Sequence, residues 1–444
     1  MDFIPKRNLP ISRCLFILAP IICLFAISCT NSKNSSKNSP PGKTGVIDLE
    51  SAVGSGKIIN LSDVASDIRY VKLETNDSSV IGQYPTVFYE NERFYILSMR
   101  VLKVFDKDGK FLFKFDRRGR GAQEYVMSRH ITVMSGSGNL LVQTQGPGAG
   151  ALLMYYDREG RYVTKRALPY NKNTFHDKVV ELNDNLLVAA TSPRYTDSVQ
   201  LSAIIYDSAF NILKTIPTPS ITEFEKRGGD DFVVISDNGK EIPSAKLSAI
   251  RSPLIYRFKN NIRFLVEGND TIFSLDFNQN FSPVFSVNHG KYKMVKTDNS
   301  EMNLNKGDYI TLREVYYIES EENIILQFYM RDFCHEPYEV MISTRRGVIT
   351  NHHTDCYALY NKKTGAFTLL NQPVKNMLGF REDIKNGPPF LPSSISLDLR
   401  ACALFTASQI IEHAQKNDVE GELKEIVKDL KDTDNPVVAI AKMK

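Results

Sequence analysis

The sequence predicts an all-β fold of propeller type, with a short helical pair and a closing strand at its C-terminus. Two observations carry this. Pairs of apolar strands around a tight Asp-led turn recur at a spacing near 50 residues, and Val, Ile, Tyr and Phe alternate along most of the chain, with almost no helical periodicity before residue 400.

The N-terminus is a different matter from the rest. Lys6, Arg7 and Arg13 form a positive flank, and an almost wholly apolar run from Cys14 to Ala26 follows. That run has the length of a signal h-region and is too short to span a bilayer. Ala26-Ile27-Ser28-Cys29 then sets a small residue before a cysteine, the arrangement that a lipoprotein signal peptidase cuts once the cysteine is acylated. Residues 1–28 are therefore expected to be a lipoprotein signal peptide and Cys29 the lipidated first residue of the mature chain. Position 26 departs from the usual pattern, being Ala where Leu is common. Residues 29–57 are rich in Asn, Ser, Lys, Pro and Gly and are expected to form a flexible tether.

Charge excludes one class of partner. The signal carries three basic residues and one acidic, so its removal takes the net charge from +4 to +2. Lys33, Lys37, Lys43 and Lys57 then outweigh Asp48 and Glu50 in the tether, leaving a nearly neutral domain with no basic face for nucleic acid. Of six cysteines, Cys334, Cys356 and Cys402 remain after Cys14 and Cys23 leave and Cys29 takes lipid.

The hairpins come next. VLKVFDKDGKFLFKF begins at Val101 and LLMYYDREGRYVTKR at Leu152, with turns at Asp106 to Gly109 and Asp157 to Gly160, 51 residues apart. A weaker copy places Asp207 a further 50 residues on. Looser copies start at Asp270 and Tyr357, and YYIESEENIILQFYM between them alternates like another strand pair. Radial repetition suits such units, because a four-stranded blade cannot cover its own faces. Residues 60–444 divide into about 64 per blade for six blades and about 55 for seven, against typical repeats of roughly 40 to 50, so length leaves the number open. A β-sandwich array is the structural rival. Near the end, TASQIIEHAQKN and GELKEIVKDLKD space their apolar residues as helices do, which predicts a helical segment over about 407–431 within the domain spanning 58–444. Asn435-Pro436 stops the second helix, and VVAIAKMK returns to strand character.

Several ordered stretches carry a resemblance: IINLSDVASDIRYVKLET, VFDKDGKFLFKFDRRGRGAQEY, NDTIFSLDFNQNFSPVFSVNHGKYK, NGPPFLPSSIS and the terminal DNPVVAIAKMK. From about Ile58 to Lys444 the chain resembles the six-bladed β-propeller lipoproteins of Bacteroidetes, an uncharacterised NHL-like family. The resemblance implies six blades and a cell-envelope location, and lends no reaction. Ala122 stands where the family's Gly-x-Gly-Pro-x-Glu-Tyr loop carries Pro, which puts that loop's usual shape in doubt.

Three constellations could carry chemistry. The loop with Arg117, Arg118, Arg120, Glu124 and Tyr125 gathers guanidinium groups beside glycines, as a carboxylate, sulfate or phosphate site would. The competing reading is a connection between blades in which Glu124 pairs with an arginine and Tyr125 packs. Cys334, His335, His352, His353 and Cys356 include zinc-binding groups within 23 residues, but strand alternation sends adjacent histidines to opposite faces. His352 and His353 are the metal candidates, and Cys334 with Cys356 could form a disulfide. Asp106-x-Asp108-Gly109 lacks the twelfth-position glutamate of a calcium loop, since Arg117 stands there. Elbow, zincin and P-loop motifs are absent, so no cofactor is expected. The sequence thus favours a membrane-anchored envelope lipoprotein whose propeller binds an unknown peptide, glycan or envelope protein. It is expected at the outer membrane, facing the periplasm, because no acidic cluster follows Cys29. The alternatives are a hydrolase or lyase with its site at the channel mouth, and an accessory subunit of an outer-membrane uptake complex.

Overall fold

The computed structural model describes residues 44–134, 137–146, 151–168, 174–183, 185–193, 201–217, 233–235, 241–243, 253–266, 269–293, 309–344 and 347–444. The chain opens with β1 (Gly45–Asp48), α1 (Leu49–Ala52), α2 (Leu61–Val64) and β2 (Ala65–Lys72). Blade 1 follows as β3 (Thr86–Glu90), β4 (Arg93–Ser98), β5 (Val101–Asp106) and β6 (Phe111–Phe115), each strand antiparallel to the next. Blade 2 is β7 (Ser128–Val133), β8 (Leu140–Gln145), β9 (Ala151–Tyr156) and β10 (Tyr162–Ala167). Blade 3 is β11 (Thr174–Asn183), β12 (Leu186–Pro193), β13 (Leu201–Asp207) and β14 (Ile212–Pro217).

A separate hairpin, β15 (Val233–Ile235) with β16 (Glu241–Pro243), precedes blade 4, which is β17 (Leu254–Phe258), β18 (Asn261–Leu265), β19 (Thr271–Asp276) and β20 (Phe281–Asn288). Blade 5 starts with β21 (Thr311–Glu319) and β22 (Asn323–Tyr329). It is interrupted by a hairpin of β23 (Tyr338–Thr344) and β24 (Gly347–His353), then completed by β25 (Asp355–Asn361) and β26 (Phe367–Leu369). Blade 6 takes β27 (Ser394–Ile395), β28 (Arg400–Phe405) and β29 (Val437–Met443) from the C-terminus and β2 from the N-terminus as its outer strand. Antiparallel pairing of β2 with β29, from Ala65 opposite Met443 to Lys72 opposite Val437, closes the ring. The fold is a six-bladed β-propeller, whose radial closure leaves only the short outer edges of the blades.

The recurring turn has one mechanism. In blade 1 the Asp106 carboxylate accepts from the backbone N–H groups of Asp108 and Lys110, both at 2.9 Å, while Gly109 takes φ +87°. Asp157 does the same for Glu159 and Arg161, and Asp207 for Ala209 and Asn211. In the third and fourth blades Phe210 and Gln279 occupy the left-handed position at φ +64°, where glycine stands in the first two. That is why those copies look weaker in sequence: the aspartate is kept and the glycine is not.

Among the described residues, six apolar clusters fill the gaps between successive blades; one joins Phe115, Tyr125 and Tyr156 of blades 1 and 2, and another joins Val71, Phe94 and Val438 across the closure. The helical pair, α3 (Ala407–Lys416) and α4 (Gly421–Asp429), packs on blade 6 through Ile410 and Leu423. Thr406 caps α3 in a reciprocal box with Gln409. Glu422 of α4 accepts the Tyr70 N–H at 3.0 Å, so the helix covers the free edge of the outer strand.

One boundary differs from the sequence reading. The tether was expected to reach residue 57, yet β1 pairs in parallel with β20, and Ile47 and Leu49 are fully buried. A window rich in Ser, Gly and Lys hid an apolar pair that docks against blades 4 and 5. Among the described residues no helix is long and apolar enough to cross a membrane.

Candidate functional site

The innermost strands β3, β7, β11, β17, β21 and β27 surround a central channel with a cavity of about 780 Å³. Alternation turns one face of each strand into it. Phe88, Met127 and Val315 line it while remaining 39%, 39% and 55% exposed, so bulky apolar side chains stand uncovered in the interior channel. Size and lining match those of small-molecule sites, which are apolar with a few placed polar groups.

The polar groups are unevenly provided. Lys178 on β11 donates from Nζ to the Ile255 carbonyl at 3.0 Å and lies 5.7 Å from the Tyr256 ring centroid. Among the described residues no carboxylate stands within ion-pair distance of it, and burial pushes its pKa below the ordinary lysine range. Glu90 on β3 is pushed up to about 7 by burial and by the Asp398 carboxylate, against the opposing pull of Arg257. Glu181 and His130 also line the cavity. Tyr256 and Tyr316 donate their hydroxyls to the backbone carbonyls of Glu314 at 2.8 Å and Pro392 at 2.6 Å, which fixes both rings in the wall.

Glu319, the last residue of β21, is neutralised by Arg263 and Lys362, neither of which lines the channel. It accepts from Arg263 Nε and Nη2 at 2.8 and 3.0 Å, from Tyr317 at 2.7 Å and from Lys362 at 3.1 Å.

The arginine loop lies elsewhere, on the connection from blade 1 to blade 2. Arg117 donates to the Gly160 carbonyl at 3.0 Å, and Arg118 grips Asp116 with two bonds of 2.7 Å. Glu124 accepts the Gly121 N–H at 2.8 Å, and Tyr125 is buried against Phe115. Arg120 is exposed. None of the five lines the channel.

His352 points to solvent on the hairpin of blade 5, 3.3 Å from Glu339, while His353 stacks on Tyr338 at 5.0 Å on the opposite face. No group of three His, Cys, Asp or Glu side chains converges as a metal site among the described residues. Cys334 and Cys356 line one small crevice and stand there as free thiols. Cys29 lies outside the described residues.

Sequence reasoning missed Lys178, Glu90 and Arg257. Their only local signal is a charged residue at an inward position of a strand whose register is known only once the blades are paired.

These features define a class: a six-bladed propeller whose ring encloses a ligand-sized channel. The chain belongs to the family described as a domain of unknown function, DUF4934, whose model matches residues 44–442. A solved structure of a Bacteroides fragilis protein described as exported is similar over 90% of this chain and 99% of that one, at 17% identity and a TM-score of 0.58. A member of the DUF4221 family from Bacteroides vulgatus aligns over 86% of this chain and 97% of that one, at 10% identity and a TM-score of 0.43. The first of these shares the fold; no curated protein matches the chain.

Proposed function

We propose that this protein is a lipid-anchored envelope propeller that binds a small ligand, or the end of a larger one, in its central channel. The observation that carries the reading is the cavity of about 780 Å³, walled by exposed apolar side chains and only a few charged groups. Equilibrium dialysis against the low-mass fraction of spent bacterial medium, read by mass spectrometry, tests it. Compounds retained by the parent chain should be lost when Phe88→Trp and Val315→Trp fill the channel. Equal retention by both proteins would sink the channel reading.

The anchor rests on the signal-like run ahead of Cys29 and has its own test. Cys29→Ala should move the protein from the membrane fraction to the soluble one, and unchanged membrane association would overturn it.

A second reading, hydrolysis or elimination in the channel, draws support from Glu90, whose carboxyl is pushed up to about 7 within the same cavity. Retained compounds recovered chemically altered favour it; compounds recovered intact favour binding.

A further inference from the structure

The charge distribution of the channel narrows its ligand class. Lys178 is its one described ammonium group, and the protein offers it a carbonyl and a ring face but no carboxylate. A cation withdrawn from water without a counter-charge is costly, and a bound anion offsets that cost. An ammonium has three donors, of which the Ile255 carbonyl takes one.

Of the three carboxylates that line the channel, Glu319 is held by Arg263 and Lys362, Glu90 faces Asp398 and Arg257, and Glu181 adds nothing to the shift of Lys178, which burial alone produces. The hydroxyls of Tyr256 and Tyr316 are committed to backbone carbonyls and that of Tyr317 to Glu319. Phe88 and Val315 instead present bare apolar surface.

We propose that the channel takes an amphipathic monocarboxylate, its carboxylate paired with Lys178 and its apolar body lying on the Phe88 and Val315 side of the wall. This rests on the channel reading above and specifies the ligand that the reading leaves open. Lys178 matches one negative charge; of the two guanidinium groups that also line the channel, Arg257 faces Glu90 and Arg100 is exposed to solvent.

Calorimetric titration of the full chain carrying Cys29→Ala tests this with octanoate, 1-octanol and octylamine as probes. Octanoate should bind, and Lys178→Met should weaken it roughly ten-fold or more while changing 1-octanol by less than about two-fold. Lys178→Met keeps the unbranched apolar stem and removes a desolvated amine, so the variant should fold at least as stably as the parent without ligand. Octanoate binding Lys178→Met as tightly as the parent, or octylamine outcompeting octanoate, overturns the assignment. Binding of 1-octanol without octanoate also overturns it but leaves the channel reading standing. Binding of none of the three overturns the assignment too, and the channel reading is then decided by the dialysis experiment.

Discussion

Arg263 of blade 4 and Glu319 of blade 5 form a buried two-point ion pair, at 2.8 and 3.0 Å, that joins neighbouring blades beside the channel. Arg263 also donates to Ser274 within its own blade, and Tyr317 and Lys362 complete the acceptor side. Such a pair adds little net stability over an apolar equivalent, but removing one partner strands the other without water. Glu319→Ala should therefore destabilise the domain by about 3–5 kcal/mol in urea unfolding, while Arg263→Met with Glu319→Leu recovers most of the loss. A single variant as stable as the parent would show that water reaches the pair.

Glu90 predicts a dependence of stability on pH. Its carboxyl has an ordinary value of 4.5 and stands near 7 in the folded chain, so the native state holds this proton more tightly than the unfolded state. The contribution is fully present below pH 4.5 and is lost as pH rises through 7. Glu90→Gln should stabilise the protein at pH 8 by roughly 1–2 kcal/mol, a figure reduced for partial solvent screening, and flatten that part of the profile. Parallel stability curves for parent and variant between pH 4.5 and 8 would contradict this.

Asn435 ties the closing strand to the opening segment. Its side chain accepts from the Ile81 N–H at 2.8 Å and donates to the Glu74 and Ser79 carbonyls at 2.7 and 3.0 Å, all with the residue buried. Asn435→Ala strands those groups and should cost about 1–3 kcal/mol, with faster hydrogen exchange at Ile81.

The three cysteines of the propeller should resist alkylation in the native state. Burial pushes Cys334 up, Cys356 up to about 12 with the Cys334 thiol adding to it, and Cys402 higher still. Iodoacetamide at pH 7.5 should label none rapidly, and the unfolded protein expressed from residue 30 onward should titrate three thiols. A count of one would reveal a Cys334–Cys356 bridge in the mature protein.

What the sequence could reveal was whatever a short stretch of chain decides for itself. The Asp106 and Asp157 turns are legible because one carboxylate holds N–H groups two and four residues on, and the helical pair because Ile410 and Leu423 belong to local periodic faces. The arginine loop drew attention for the same reason, local crowding of charge; a contact two residues away takes Arg118 to Asp116, and a tertiary one gives Arg117 to a carbonyl of the next blade. The inserted hairpin at 338–353 stretches blade 5 and defeats any count by length. Only the closed ring brings Glu90, Lys178, Arg257 and Val315 to one cavity, because four strands far apart in sequence must first pair into blades and the blades must pack side by side. Charge and burial at that channel are properties of the assembled ring, and no single strand carries them.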